Sequence, residues 1–392
     1  MSYLNQEHGR GYIQRNGSLG NAQPLTTWRK IIRFHWPLAL LLIAVASVGF
    51  LMLFSVANGN LDPWASRQMI RFGVGFAGMV IVAMIDLRYW KALSPLIYMG
   101  AIAALAAVEV MGVVGMGAQR WIDLGFIRLQ PSELMKVALI LALARYYDWL
   151  PAEHVSRPLW VLPPLVLILV PVAMVLRQPD LGTAILLCAG GIAVMFLAGL
   201  SWLYFIMGAS GTVLAIYAVV ASRHTDWQIL KDYQYRRIET FLDPSQDPLG
   251  AGYHITQSKI ALGSGGLSGR GFMEGTQSRL NFLPEKHTDF IFTTLAEEFG
   301  FVGAASLLTL YTLIILFCFA SMFANRDRFG ALLTGGLALT FFFFFAVNIA
   351  MVLGLAPVVG VPLPLVSYGG SAMLVLLFAF GLVQCAHIHR RS

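Results

Sequence analysis

Asp289 is the residue whose type and position most directly suggest chemistry. It follows Pro284-Glu285-Lys286-His287-Thr288 and opens an apolar run over 289–322. A carboxylate at the start of a helix is favoured by the helix dipole and stays ionised. It can take a proton from a substrate hydroxyl, or simply cap the helix. His287 offers a second acid–base group or a local hydrogen bond. Glu133 and Lys136 stand three apart, on one helical face, where they can pair. Gln178-Pro179-Asp180 forms a polar break between two apolar runs, and Asp180 suits an N-cap. Glu297 and Glu298 lie roughly 12 Å beyond Asp289 at helical rise, and suit buried hydrogen bonds. Asn348 suits a bond across helices. The run Gly263-Ser264-Gly265-Gly266-Leu267-Ser268-Gly269-Arg270-Gly271 reads as an anion nest or a flexible turn. Lys259, Arg270, Arg279 and Lys286 stand near it, with Arg120 and Arg128 in a separate loop, as cations suited to a pyrophosphate.

The elements that position these groups follow from composition. Of 392 residues, 57% are apolar and 12% charged, and the mean hydropathy is +0.70. That excludes a soluble domain, a disordered chain and a secreted disulfide scaffold. Cys188, Cys318 and Cys385 are odd in number and form no C-x-x-C, so no zinc site is indicated. Apolar runs fall near 37–57, 69–86, 92–115, 133–149, 158–176, 181–199, 202–222, 289–322, 329–353 and 366–387. They predict an all-α polytopic integral membrane protein with about ten transmembrane helices. The first span reads as an uncleaved anchor behind a polar tail, 1–36, whose residues 27–36 suit a membrane interface. Counting Lys and Arg in the tails and short loops gives thirteen on the N-terminal side and five opposite. That bias predicts both termini in the cytoplasm. It makes the +7 net charge a topology signal rather than a nucleic-acid footprint. Residues 223–288 form a large outer loop between the seven helices of 37–222 and the three of 289–392. Its eight basic and seven acidic residues, with Tyr233, Tyr235, Phe241, Tyr253, Phe272 and Phe282, point to a folded segment. The sequence has no Walker A motif and no H-E-x-x-H. It has no S-x-x-K in the outer loops and no K-T-G, so a penicillin-type acyl-transfer site is not expected.

Six strings carry a resemblance to a known family: G-A-Q-R-W-I-D-L-G at 117–125, R-L-Q-P-S-E at 128–133, Q-P-D-L-G-T at 178–183, D-P-L-G-A-G-Y-H-I-T-Q-S-K-I-A-L-G-S-G-G-L at 247–267, L-P-E-K-H-T-D-F-I-F at 283–292 and P-L-P-L-V-S-Y-G-G-S at 362–371. The chain resembles the shape, elongation, division and sporulation (SEDS) family of bacterial membrane proteins from about residue 37 to its end, and its glycine-rich stretch is similar to the elongation branch. Two departures stand out. The N-terminal ~30 residues are longer than the family needs, and Thr293-Thr294 replaces smaller apolar residues.

The resemblance implies a peptidoglycan glycosyltransferase of the bacterial inner membrane, acting on its periplasmic face for cell elongation and rod shape. The implied substrate is lipid II, and the implied partner is a class B penicillin-binding protein supplying transpeptidation. The family's catalytic aspartate falls on Asp289. As general base it would deprotonate the C4 hydroxyl of the acceptor N-acetylglucosamine. That oxygen would displace undecaprenyl pyrophosphate from the donor N-acetylmuramic acid, inverting the α-linkage to β-1,4. The leaving pyrophosphate needs neutralising: Lys259, Arg270, Arg120 and Arg128 are the candidates, with a divalent cation as the one further candidate and no other cofactor implied. Gln130, Glu133, Lys136, Asp180, Gln257, Ser258, His287 and Ser367, all within or beside the matched strings, are expected to line or brace the substrate cavity. Two other functions fit a polytopic fold: a lipid II flippase, and a non-catalytic scaffold that activates the penicillin-binding protein. Neither paired broken helices nor internal repeats, the pointers to many transporters, are visible.

Overall fold

The computed structural model describes residues 26–115, 118–123, 125, 128–223, 225, 227–228, 235, 239, 243, 251–279 and 286–390. Residues 1–25 of the polar tail, Tyr233, Phe241, Phe282, Pro284 and Glu285 lie outside the described residues. A short helix α1 (Thr27–Arg33) precedes α2 (Trp36–Val56), α3 (Ala65–Met84) and α4 (Leu87–Met111). Strands β1 (Val113–Gly115), β2 (Ala118–Asp123) and β3 (Arg128–Leu129) lead into α5 (Pro131–Trp149), α6 (Pro158–Arg177), α7 (Leu181–Leu197) and α8 (Trp202–Ala221). Then come α9 (Ala251–Ser264), the single turn α10 (Thr276–Arg279), α11 (Ile291–Phe323), α12 (Arg328–Val352) and α13 (Gly370–Ile388).

Among the described residues, eight helices are long and apolar enough to cross a membrane: α2, α3, α4, α6, α8, α11, α12 and α13. The 17-residue α7 and the 19-residue α5, which carries Glu133 and Lys136, fill the two remaining apolar runs. The chain is therefore an all-α multi-pass membrane protein. Thirteen of the nineteen residues of α5 are buried, and it packs against α4, α6, α7 and α12. Its Glu133 and Lys136 would be costly against lipid, and the bundle interior shelters them. By contrast, α8 buries none of its residues. α13 lies along α3 and α12, and α11 along α2 and α12.

The third apolar run, read as a span to 115, stops earlier. α4 ends at Met111, and Gly112 turns the chain into an antiparallel three-strand sheet. Val113 faces Trp121, Val114 faces Gln119 across a register shift, and Ile122 faces Leu129. β-branched Val113-Val114 between two glycines suits a strand. The last span likewise starts at Gly370 rather than 366, because 353–369 forms a long loop folded back over the bundle.

α11 is two helices joined at Gly300, whose φ of 64° lies in the left-handed region. A break there frees carbonyls before it and N–H groups after it, which at membrane depth must find partners. The glycine-rich turn supplies them. Arg270 N and Gly271 N donate to Glu297 O and Glu298 O, both at 3.0 Å, while Phe301 N and Val302 N donate to Gly266 O and Leu267 O at 2.9 and 3.1 Å. The approach is too close for side chains. A Cβ on Gly269 would fall 2.1 Å from Glu298 O, and one on Gly300 2.3 Å from Gly269 N.

Candidate active site

Asp289 sits in the turn 286–290, just ahead of α11. Phe290, whose side chain makes no capping bond, holds the N-cap position, and Asp289 stands one residue before it. The turn is tied down through its backbone. Buried Asn348 of α12 donates through Nδ2 to Asp289 O at 2.9 Å and to Val361 O at 2.6 Å. Tyr368 N donates to His287 O at 2.9 Å. The Ser367 hydroxyl donates to Thr288 O and accepts from Leu363 N at 2.7 Å. Gln68 of α3 adds a bond from Nε2 to Ser367 O at 2.9 Å. The His287 ring stacks on Trp64 at 4.7 Å. Side chains from α3 and α12, with the 353–369 loop, thus fix the backbone around a half-buried carboxylate. Gly360, at φ +71°, leaves space beside it: a Cβ there would lie 3.6 Å from Asp289 Oδ2. At the start of this turn, burial pushes the Lys286 ammonium below its ordinary pKa.

A second polar group lies at the start of α5 and α7. Lys136 Nζ is 2.8 Å from Glu133 Oε2, with both side chains under 10% exposed. The same ammonium lies 4.0 Å above the Phe344 ring. Asp180 N-caps α7 through Thr183 N at 3.2 Å and accepts from Thr183 Oγ1 at 2.8 Å and Gln130 Nε2 at 3.0 Å. The 353–369 loop links this group to Asp289. Val359 and Val361 pack onto Gly182, where a Cβ would fall 2.8 Å from Val359 O. Asn348 grips Val361 O from the other side. Beneath that loop runs a narrow crevice lined by Phe344, Leu363, Ser367, Gly369 and Met373.

The remaining expected site residues are distributed as follows. Ser258 is buried, with its hydroxyl on Val352 O at 2.8 Å and Thr293 Oγ1 at 3.0 Å, so it joins α9 to α11 and α12. One of the two departing threonines is therefore its partner. Half-buried Gln257 and exposed Lys259 flank it on α9; the Lys259 stem lies against Gly354. Arg270 is exposed and donates to Thr276 Oγ1 at 3.0 Å. Arg120 points at backbone carbonyls, with Nε 3.0 Å from Gln178 O and a second bond to Pro179 O. Arg128 pairs with Asp123 at 3.4 Å on an exposed hairpin. The anion-nest reading of the glycine-rich turn gives way, because Arg270 N and Gly271 N are spent on the α11 break. Glu297 and Glu298 form the expected buried bonds, Glu297 Oε1 accepting from Thr276 N at 2.8 Å and Glu298 from the Ser55 hydroxyl.

Among the described residues, no three His, Cys, Asp or Glu side chains converge to hold a metal. Sequence reasoning missed Trp64, Gln68 and Tyr368, which meet the Asp289 turn only in the folded bundle. Tyr368 lies within the matched string at 362–371, whereas Trp64 and Gln68 lie in no matched string.

The cell cycle protein family of FtsW, RodA and SpoVE matches residues 31–392. The peptidoglycan glycosyltransferase MrdB of Escherichia coli K12 is 44% identical over 374 residues, spanning 95% of this chain and 98% of the relative. The peptidoglycan glycosyltransferase RodA of Treponema pallidum is 31% identical, spanning 91% and 98%. Among solved structures, a chain described under "Structural coordination of polymerization and crosslinking by a peptidoglycan synthase complex" superposes with a TM-score of 0.78 at 34% identity, covering 90% of this chain and 97% of that one. RodA of Thermus thermophilus superposes at 0.69 and 30% identity, covering 92% and 98%. A match that spans nearly the whole length in both sequence and fold makes the conclusion plain: this chain belongs to the FtsW/RodA/SpoVE family, also called SEDS.

Proposed function

We propose that this chain is a peptidoglycan glycosyltransferase that polymerises lipid II into β-1,4 glycan strands, with Asp289 as general base. The observation that carries the reading is the Asp289 turn. Its backbone is clamped from α12 and the 353–369 loop, while the carboxylate is half-exposed beside the space at Gly360. A base fixed in this way loses little freedom when an acceptor docks, which favours a near-attack geometry. The carboxylate takes the proton of the acceptor's C4 hydroxyl as that oxygen attacks the donor's anomeric carbon from the face opposite the pyrophosphate. The C–O bond to undecaprenyl pyrophosphate breaks and the configuration inverts. A retaining route would need a second carboxylate close by as nucleophile. Lys259 and Arg270, exposed, remain available to the departing pyrophosphate, whereas Arg120 is engaged with backbone carbonyls.

Ten spans put both termini on one side, and the Lys/Arg bias makes that side cytoplasmic. Asp289 then faces the periplasm. Transpeptidation is left to a class B penicillin-binding protein, in keeping with the lack of S-x-x-K and K-T-G in the outer loops. The description of the 0.78 TM-score relative as part of a synthase complex supports such a partner.

The test is polymerisation of labelled lipid II by the purified protein with its partner, the partner's transpeptidase serine blocked, comparing wild type with Asp289→Asn. Glycan ladders from wild type only, with equal folding and partner binding, are expected. Equal ladders would remove Asp289 from the chemistry. An intact complex that makes no ladder in either form would point to transport or scaffolding instead.

A further inference from the structure

The start of α13 collects hydrogen-bond donors and has no acceptor for them. Gly369 holds the N-cap position without a side-chain cap, and the first turn contains no acidic residue. Its leading N–H groups therefore lack intrahelical partners and carry the positive end of the helix dipole. Arg71 of α3 lies beside them. Its guanidinium carbon is 3.7 Å from the Cβ position of Gly370, with both terminal nitrogens at 3.8 Å. The guanidinium also lies over the Tyr368 ring, 4.9 Å from the centroid. Its Nη1 is buried and has no hydrogen-bond partner, and among the described residues no carboxylate reaches Arg71. Ser371, in the same first turn and 1% exposed, also has a hydroxyl without a partner. Buried donors left unmade are expensive. Arg71 and the helix N-terminus meet at Gly370, whose missing side chain leaves room, with Ser371 its neighbour in the chain. Their complement is an anion rich in acceptors.

We infer that Arg71, Ser371 and the N-terminus of α13 form a subsite for a phosphate or pyrophosphate group. The site lies next to Tyr368, whose backbone N–H holds His287 two residues before Asp289. It therefore stands at the reacting end of the bundle. The inference rests on the proposed polymerase only in naming the anion as the pyrophosphate of a polyprenyl-linked reactant; the donor geometry is independent of that. Arg71 binds a phosphate oxygen by a charge-assisted bond, while the helix N–H groups and the Ser371 hydroxyl take further oxygens.

The test is binding to the full chain in phosphate-free detergent micelles, read by native mass spectrometry. The probes are undecaprenyl pyrophosphate, undecaprenol and inorganic pyrophosphate. Arg71→Gln is expected to weaken undecaprenyl pyrophosphate about ten- to a hundredfold, and Ser371→Ala a fewfold, with undecaprenol binding unchanged in both. Gly370→Asp places a carboxylate at the site. It is expected to raise the Tm and abolish pyrophosphate binding, which keeps the test sharp should Arg71→Gln fail to fold. Inorganic pyrophosphate that competes at similar affinity identifies a headgroup reader open to the free anion; failure to compete, with the lipid still Arg71-dependent, identifies a lipid-linked ligand. Undecaprenyl pyrophosphate bound equally by wild type and the folded variants overturns the subsite. No turnover is involved, so Arg71-dependent binding in a protein that makes no glycan would sink only the polymerase reading. Glycan synthesis with Arg71-independent binding would sink only the subsite.

Discussion

Breaking the Glu133–Lys136 pair gives a quantitative probe of the bundle centre. At 2.8 Å and with both side chains under 10% exposed, the Coulomb attraction is about 6 kcal/mol at an effective dielectric of about 20. Desolvation offsets much of that, and removing one partner from a buried pair typically costs about 3–5 kcal/mol. Glu133→Gln leaves an ammonium held only by the Phe344 face, 4.0 Å away, and a cation–π contact supplies about 1–2 kcal/mol at most. Lys136→Met strands the carboxylate near the N-terminus of α5, where the helix dipole returns a fraction of the loss. Each single variant is therefore expected to lose about 3 kcal/mol or more. The double variant Glu133→Gln/Lys136→Met buries no net charge and should recover to within about 1–2 kcal/mol of wild type. The coupling energy from the double-mutant cycle is then about 3 kcal/mol or more. Equilibrium unfolding in detergent measures it. Additive single effects, or single variants as stable as wild type, would refute the reasoning that this pair is a desolvated bridge.

Two further outcomes follow from local geometry. Gly269→Ala drives a Cβ to 2.1 Å from Glu298 O at a φ of +80°, so it should cost about 2–4 kcal/mol through strain and lost splint hydrogen bonds. Gly263→Ala, six residues earlier on α9 with nothing within 4 Å, should be neutral or stabilise by up to about 1 kcal/mol; equal Tm values for the two variants would contradict the splint. His35 caps α2 by accepting from Leu38 N at Nδ1, and burial, with Arg390 nearby, lowers its pKa below 6.5. The unfolded chain then binds more protons, so stability is full above pH 6.5. It falls as pH drops from 6.5 towards the lowered value, because the proton takes the capping lone pair. His35→Asn keeps the cap without titrating and should flatten the Tm profile between pH 5 and 7, and an unchanged slope would move the effect to neighbouring His387 and His389.

Features that depend on short-range patterning were legible in the chain alone. Hydrocarbon thickness imposes long apolar runs, so the ten helices could be counted from composition. Helical spacing of three put Glu133 beside Lys136, and an aspartate ahead of an apolar run at 180 became an N-cap. The six strings marked the family, and the resemblance made Asp289 the candidate base. The tertiary structure decided what depends on contacts distant in sequence. Asn348 lies 59 residues from the Asp289 carbonyl it holds, and Gln68 lies 299 from the Ser367 carbonyl. The glycine-rich turn read as an anion nest or a flexible turn; only the break at Gly300, some thirty residues on, shows where the Arg270 and Gly271 amides are spent. The place of Arg71, over Tyr368 and beside the start of α13, is set by the packing of α13 along α3. The physical reason is common to these cases. Hydropathy and capping are properties of adjacent residues, whereas the partner of a backbone carbonyl or a guanidinium is chosen by which helices pack together.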